Sequence, residues 1–347
     1  MAKFSVVTPK DASFTVSSGG YNYEMEALKP IGAEVIEAPA NEAEFITAAK
    51  TADAIYAKGM PITKSIIDAL ENCKVITIGS VGVDGVDVKA ATARGIPVTN
   101  VPDIFIEEVA DHSMALLLAG SRRLVEQDKM VREGYWSEGQ TALLKLPRLM
   151  GQMLGFISFG RVARAVALRA APFGLRMTAY DPFIDETLMS NHGVIPATLT
   201  EVLSQSDFVS MHAPARPELR HMLTEQHFRQ MKKNAIFINT GRGATVNEES
   251  LIKALQEGWI AHAALDVLEK EPPSQNNPLL HMDNVTLTAH VAFASARSDG
   301  ARKRRVGFEL ALVLQGKWPV SCVNPAVLQS TNLTRWQSIG MNRGPNS

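Results

Sequence analysis

Between Leu154 and His290 the chain alternates short apolar runs with helix-like segments. The runs are LGFIS, LRMTAYD, DFVSMHA, AIFINTGR, AHAALDV and VTLTAH. Short apolar runs separated by helical stretches predict repeated βα units and a parallel sheet. At the end of each run, or one residue before it, stand the polar residues Ser158, Asp181, His212, Arg242, Asp266 and His290. An open parallel sheet binds ligands outside the carboxyl ends of its strands. The pattern therefore predicts a nucleotide-binding sheet with a reaction centre along one edge.

The first hundred residues carry their own βα alternation. Residues 3–8, 33–38, 54–57, the run VITIGS from Val75 and the run IPVTNVP from Ile96 read as strands. Residues 24–29, 43–49, 64–70 and 88–94 read as helices. A glycine-rich loop, GSVGVDGVD, follows the fourth strand and carries Asp84 and Asp87. The segment IEEVADHSMALLLAGSRRL, from Ile106, is the longest apolar helix. Its apolar residues run nearly all round, which predicts burial between elements and a place as connector between domains. GYWSEG, around Tyr135, reads as a turn-rich excursion with an exposed aromatic pair. The stretch after about residue 330 is polar and lacks periodicity, so a loose tail is expected at 331–347.

Length and composition fit this organisation. With 347 residues, 46% hydrophobic and 20% charged, the chain has enough apolar mass for two cores. Its net charge of -1 argues against broad attraction to nucleic acid or membrane. The basic run KRR at 303–305 sits on a late helix and is expected to be a solvated face. Cys73 and Cys322 lack metal-ligand spacing and fit a reducing compartment. The start, MAKFSVVTPK, has no apolar signal core, and no apolar stretch approaches the roughly 18 residues of a membrane span. A cytoplasmic protein is expected.

The turn after LGFIS leads into the helical segment FGRVARAVALRAA. A dinucleotide fingerprint GxGxxG would place glycines for a tight turn, for close pyrophosphate approach and for helix–strand packing. Those places hold Ser158, Gly160 and Ala163. Only the middle glycine, which the phosphates need, is kept. Alone, the segment reads equally as a structural strand-to-helix turn. About twenty residues on, however, the next run closes on Asp181. A carboxylate there would accept hydrogen bonds from ribose hydroxyls and repel a 2′-phosphate, favouring NAD over NADP. The alternative is a turn-forming Asp181-Pro182 pair.

Histidine is the usual proton donor and acceptor near neutral pH. His290 closes the last run, where the nicotinamide end of such a cofactor would lie. A carboxylate beside a catalytic imidazole orients it and favours its charged form. Glu269, Glu271 and Asp266 are candidates for that role. Arg242, in NTGRG, sits among glycines, and its guanidinium can take a 2-oxo acid in the forked way that lysine cannot.

These segments resemble the D-isomer-specific 2-hydroxyacid dehydrogenase family. The likeness runs from VITIGSVGVDGVD at Val75 to VNPAVL at Val323. It is specific in GFISFGRVARAVA with YDP, in NTGRG, in ALDVLEKEPP and in LTAH. IFIEEVADHSMALLLA and GRVARAVALRAAPFG also resemble the subgroup that contains the C-terminal-binding-protein corepressors. The resemblance implies a catalytic set of Arg242, Glu271 and His290, because the family's DV-x-x-x-EP glutamate falls on Glu271. It implies that amides of Val81 and Gly82 bind the substrate carboxylate. Asp266 would hold the nicotinamide carboxamide. His212 and Pro214 would line the adenosine side, and amides of Arg161 and Val162 would meet the pyrophosphate. Ser158, Gly160, Asp181 and Thr240 complete the implied NAD-binding set, and no metal is expected.

The resemblance also implies the architecture. Two Rossmann-like α/β domains with doubly wound parallel sheets are expected. The substrate-binding domain is discontinuous, residues 1–102 and 293–330, around an NAD-binding domain at 103–292. A homodimer is implied, with the long apolar helix and the GYW excursion at its interface. The implied reaction is NAD(H)-dependent interconversion of a small D-2-hydroxy acid and its 2-oxo acid, of glyoxylate or hydroxypyruvate type. Two other readings stay open: an NAD(H)-sensing corepressor-like binding protein, and a phosphite dehydrogenase-like enzyme. The chain departs from the family at Ser158, at Ser80 in the substrate loop, at His262 before ALDV, and at Phe105 and Phe293 by the pocket mouth.

Overall fold

The computed structural model describes residues 2–10, 20–144 and 146–335, the side chains of 142 and 143 excepted. The described residues form two compact units. One runs up to Ile104 and resumes at Ser295, and the other is Phe105–Ala294.

The first unit is laid down as β1 (Phe4–Pro9), α1 (Asn22–Leu28), β2 (Ala33–Ala38), α2 (Glu42–Ala49), β3 (Ala54–Ala57), α3 (Lys64–Ala69), β4 (Val75–Ile78), α4 (Val88–Ala93) and β5 (Val98–Thr99). Its strands pair in parallel in the order β2-β1-β3-β4-β5. β3 and β4 are buried throughout, which explains their largely apolar sequence; the one hydroxyl in β4, of Thr77, is paired with that of Thr99 at 2.7 Å. Ile55, Ala57, Ile76, Ile78, Phe45, Ile66 and Ile67 are part of one core. Side chains start the helices: Asn41 Oδ1 accepts from the Glu44 amide at 3.0 Å, and Asp87 Oδ1 from the Ala90 amide at 2.9 Å.

The second unit begins with α5 (Ile106–Arg122), α6 (Leu124–Arg132) and α7 (Trp136–Leu143). Then follow β6 (Met153–Ile157), α8 (Arg161–Ala170), β7 (Arg176–Tyr180), α9 (Glu186–Ser190), β8 (Val194–Pro196), α10 (Leu199–Gln205) and β9 (Phe208–Met211). It closes with α11 (Glu225–Phe228), β10 (Ile236–Asn239), α12 (Glu248–Gln256), β11 (His262–Leu265) and β12 (Val285–Leu287). The parallel order is β12-β11-β10-β9-β6-β7-β8. The direction of winding reverses between β6 and β9, a topological switch point. α13 (Ser298–Leu314) then returns the chain to the first unit.

Side chains alternate across the second sheet. Ile236 and Ile238 join a core with α5 and α8, while Phe237 joins the opposite core with α10 and α12. A Cβ on Gly155 would stand 2.2 Å from Ser206 Oγ and 2.8 Å from Val202 Cγ1, so only glycine lets β6 lie against α10.

The strands also share a register that aligns their ends. Tyr180 pairs with Ile157, Ile157 with Met211, Met211 with Asn239, Asn239 with Leu265, and Leu265 with Leu287. Six strands therefore release their chains from one row.

Several expectations are corrected. β8 is a seventh strand whose three residues are too short to show a period. IPVTNVP contributes only Val98 and Thr99 to the sheet. The long apolar helix ends at Arg122, because Arg123 turns left-handed at φ 51. It is buried on one face, through Ala110, Ser113, Met114 and Leu117, while Glu107, Asp111 and Ala115 are exposed. It lies wholly within the second unit. The GYW excursion is the start of helix α7, although Tyr135 and Trp136 are exposed as expected. The KRR run is not simply solvated: Lys303 is buried and paired to Asp299 at 2.8 Å, and Arg305 pairs with Glu309 at 2.7 Å. The expected loose tail is tied down at its start, where Thr334 exchanges hydrogen bonds with Gly316 and Trp318; from 336 on it lies outside the described residues.

Candidate active site

The β6–α8 turn is built to receive an anion. Gly160 is the N-cap of α8, and the helix carries no acidic residue in its first turn. The first-turn amides, including those of Arg161 and Val162, have no acceptor within the helix, and the helix dipole favours negative charge there. A Cβ built on Gly160 meets nothing within 4 Å, so the space in front of these donors is open. These donors could hold a dinucleotide pyrophosphate. Ala163 is fully buried where the helix meets the sheet.

Ser158 occupies the left-handed region at φ 70, a conformation natural to glycine. Its hydroxyl donates to Asp181 Oδ2 at 3.2 Å, and the Phe159 amide donates to the same oxygen at 2.8 Å. Asp181 Oδ1 accepts from the Phe183 amide at 2.9 Å. The Asp-Pro turn is thus present, and the carboxylate is held at the end of β7.

On the other side of the switch point His212 leaves β9. Its amide donates to Ile157 O at 2.9 Å, its Nε2 lies 2.8 Å from Ser210 Oγ, and its ring packs on Phe156. Loss of hydration pushes its pKa down to about 4, so the ring is neutral at neutral pH. Pro214 is exposed nearby in sequence. Thr240 leaves β10 and its Oγ1 lies 2.7 Å from Ser113 Oγ of α5.

Arg242, Glu271 and His290 sit on the loops after the adjacent strands β10, β11 and β12. Because those strand ends are level, the three loops start side by side. Arg242 Nη1 donates to Gly241 O at 2.8 Å. Beside it, a Cβ on Gly243 would stand 1.9 Å from Leu268 O, so the Arg242 loop packs backbone to backbone against the Glu271 loop. His290 Nδ1 lies 2.6 Å from Glu271 Oε2. An ionised carboxylate only accepts, so Nδ1 carries the proton of this bond. Glu271 Oε1 accepts from the Leu268 amide at 2.9 Å. Burial works to raise the Glu271 pKa. The hydrogen bonds from His290 and Leu268 and the His290 charge outweigh it, so the carboxyl lies below its ordinary value. Glu269 is turned away, to His221 Nε2 at 2.5 Å.

Asp266 is nearly inaccessible, at 2% exposure. Its Oδ1 accepts from Thr288 Oγ1 at 2.6 Å and from the Val291 amide at 2.9 Å, and Oδ2 from the Ala292 amide at 3.0 Å. Its carbonyl accepts from the His290 amide at 2.8 Å. One residue therefore shapes the whole 288–292 loop and holds His290 at φ 52. Non-glycine residues held there store strain, a common property of functional sites. His112 of α5 supports this arrangement, with Nε2 at 2.9 Å from Thr288 Oγ1 and 3.5 Å from Asp266 Oδ1. Sequence reasoning missed His112 and Thr288. Thr288 had a signal, as a polar residue inside the run that ends in His290; His112 had none. Phe293 packs edge-on against Phe105 at 5.7 Å between centroids and flanks the His290 ring at 6.5 Å. His262 faces Thr286, with Nε2 at 3.0 Å from its hydroxyl, and packs beneath Gly120.

In the first unit the loop after β4 is exposed at Val81. Ser80 Oγ donates to Gly82 O at 2.6 Å, and Asn100 Nδ2 to Val81 O at 2.7 Å. The departure from glycine at position 80 thus adds a hydrogen bond that shapes this loop. No groups of three or more His, Cys, Asp or Glu that could hold a metal occur among the described residues.

Residues 114–292 match the family model described as D-isomer specific 2-hydroxyacid dehydrogenase, NAD binding domain. The chain belongs to that family. It is 40% identical over 295 residues to a glyoxylate reductase of Korarchaeum cryptofilum, covering 84% of this chain and 89% of that one. A solved NADPH-dependent glyoxylate/hydroxypyruvate reductase of Sinorhizobium meliloti, in complex with NADP and malonate, aligns with a TM-score of 0.81 at 30% identity. That alignment covers 97% of this chain and 100% of the other. D-lactate dehydrogenase from Aquifex aeolicus, complexed with NAD and lactic acid, aligns at 0.77 and 25% identity over 94% and 98% of the two chains. As a member of this family, the protein is a nicotinamide-dependent oxidoreductase that interconverts a 2-hydroxy acid and its 2-oxo acid.

Proposed function

We infer that this 2-hydroxyacid dehydrogenase works on a small 2-oxo acid of glyoxylate or hydroxypyruvate type, uses NADH, and yields the D-2-hydroxy acid. The observation that carries the chemistry is the 2.6 Å pairing of His290 with Glu271, one strand away from the Arg242 loop. The β6–α8 turn would hold the pyrophosphate of a nicotinamide cofactor and Asp266 its carboxamide, and the cofactor would supply the hydride exchanged with the substrate's C2. In reduction, His290 gives a proton from Nε2 to the carbonyl oxygen as it becomes a hydroxyl, because Nδ1 is committed to Glu271. Glu271 orients the ring and balances the imidazolium. Arg242 polarises the carbonyl and holds the carboxylate in a forked contact. Donors fixed toward the oxygen where charge develops supply much of the rate enhancement. Residues Phe105–Ala294 form the cofactor unit in this reading, and the Val81 and Gly82 amides are assigned to the substrate carboxylate.

Asp181 favours NADH, since its held carboxylate repels a 2′-phosphate and accepts from a ribose diol. Asp266 Oδ2, with one donor, keeps acceptor capacity for the carboxamide. The protein acts as a cytoplasmic homodimer in this reading. Two free cysteines and the exposed apolar residues Leu124, Val125, Val131, Tyr135 and Trp136 of the α6–α7 region support it. The test is oxidation of NADH and of NADPH with glyoxylate, hydroxypyruvate, pyruvate and bulkier 2-oxo acids. Turnover greatest with the small acids, and a higher kcat/KM with NADH, are expected. His290→Ala should lower kcat on the order of 10²–10⁴ with NADH binding nearly intact. Near-wild-type turnover by that variant would overturn the mechanism. Absence of turnover on the whole panel would favour a binding protein that senses NAD(H).

A further inference from the structure

We propose that His221 is a positioning residue. With Glu269 it clamps the loop that carries Glu271 onto the loop that carries Arg242, and so keeps Glu271 seated against His290. The inference rests on the roles given above to Glu271 and His290, and adds a residue outside that set.

His221 lies in the connection between β9 and α11, and its φ is 52. Among the described residues the only other non-glycine positions with positive φ are Arg123, Ser158 and His290, and the last two belong to the site itself. The His221 backbone reaches one loop and its ring another. The amide donates to Ala244 O at 2.9 Å, two residues past Arg242. The Leu223 amide continues the contact to Thr245 O at 3.1 Å, and the Asn247 amide returns to Leu223 O at 2.9 Å. The ring Nε2 lies 2.5 Å from Glu269 Oε1, two residues before Glu271.

Glu269 is the hub of this clamp. Arg220 Nη2 donates to its Oε1 at 2.8 Å, and the Glu248 amide to its Oε2 at 3.3 Å. The Glu269 amide donates back to Glu248 Oε2 at 2.9 Å. The carboxylate thus ties together the chain before α11, the start of α12 and the loop after β11. Burial would raise its pKa, but the His221 hydrogen bond, the Glu248 amide and the charges of His221 and Arg220 hold it below the ordinary value. An ionised hub accepts from all these donors at once.

The clamp has a direct mechanical route to the chemistry. Glu271 Oε1 is held by the Leu268 amide, the residue next to Glu269. Leu268 O is also the atom against which Gly243 packs. Fixing residues 268 and 269 therefore fixes both the carboxylate that faces His290 and the backbone beneath Arg242. An error of about 1 Å in such a group can cost on the order of 10²-fold in rate.

The experiment uses the full chain with His221→Ala, His221→Gln and Glu269→Gln. Thermal melting, kcat, KM for NADH and the pH profile of glyoxylate reduction are measured for each. His221→Ala should lose about tenfold in kcat, with KM for NADH within about twofold of wild type. Its alkaline limb should move to lower pH, because a displaced Glu271 no longer supports the charged imidazole. His221→Gln, whose amide can still donate to Glu269, should recover part of both effects. If His221→Ala does not fold, Glu269→Gln, nearly isosteric, is expected to show the same loss and the same shift. Unchanged kcat and an unmoved limb would overturn the proposal. So would a lower melting midpoint with kcat and limb both unmoved, which a merely structural role produces. Persistence of turnover in His290→Ala would instead overturn the mechanism on which the clamp acts.

Discussion

Ser158 offers a test in which two opposing effects can be separated. The residue sits at φ 70, and its hydroxyl donates to Asp181 Oδ2. A left-handed conformation costs a residue with a Cβ about 1–2 kcal/mol relative to glycine. Glycine in turn gives back about 0.4–1 kcal/mol through the greater freedom of its unfolded chain. A hydrogen bond to a charged acceptor contributes about 1.5–3 kcal/mol. The value here lies at or below the lower end, since the contact is 3.2 Å long and Phe159 serves the same oxygen. Ser158→Ala keeps the strain and loses the bond, so it should destabilise by about 1 kcal/mol. Ser158→Gly loses both and should lie within about 1 kcal/mol of wild type. The difference between the two variants isolates the strain. Glycine should be the more stable by about 0.5–1 kcal/mol, roughly 2 °C in melting midpoint for a chain of this size. Cofactor affinity reads the other effect. Either substitution returns an acceptor position on Asp181 to the ribose, so calorimetry should show NADH bound more tightly, by up to about 1 kcal/mol or fivefold in Kd. If alanine proved as stable as glycine, the turn would not be strained. If NADH bound unchanged or more weakly in both variants, Ser158 would not compete for the carboxylate.

Three other expectations concern the proton, the substrate and acid. Glu271→Gln should leave the fold intact and move the alkaline limb of the reduction profile to lower pH, as read from kcat against pH; an unmoved limb would disconnect Glu271 from His290. Reduction needs a charged imidazole, so activity is present at low pH and falls as pH rises. Arg242→Lys should raise substrate KM more than it lowers kcat, because a point charge cannot make the forked contact; steady-state kinetics with equal losses would refute that role. Stability should fall as pH drops from 6.5 toward 4. Burial holds His212 and His262 down to about 4, against 6.5 in the unfolded chain, with Arg123 adding to the effect at His262. Both rings must therefore be protonated against the fold in that window. Glu271, held below its ordinary value, contributes stability above about pH 4.5 that disappears as pH falls through its lower folded value. Denaturant midpoints across pH 4–7 check the sign, and a flat profile would contradict the burial of both histidines.

The strands of the second sheet were legible because a strand buried on both faces must be apolar along its whole length. That requirement is local, and it marks LGFIS, AIFINTGR and AHAALDV without reference to anything else. The polar residues that close these runs were legible for the same reason, as the first positions outside the apolar layer. The spacing of Gly160 and Asp181 marked a strand–turn–helix–strand unit, and they stand at the start of α8 and just past the end of β7. β8 escaped because three residues are too few to repeat a period, and the long apolar helix seemed buried all round because alanines and leucines do not reveal which face meets the sheet.

What only the tertiary structure decided is who meets whom across the loops. The residues alone leave Glu269, Glu271 and Asp266 all as candidates beside His290, and only the likeness to the family singles out Glu271. The fold turns Glu271 to His290, Glu269 to His221, and Asp266 to the amides of Val291 and Ala292. These three carboxylates lie within six residues of one another, and nothing in their local sequence separates their tasks. Strand order and register do. The level ends of β10, β11 and β12 bring chain segments from distant parts of the sequence to within hydrogen-bond reach, and the few angstroms that assign each partner are set by packing between loops.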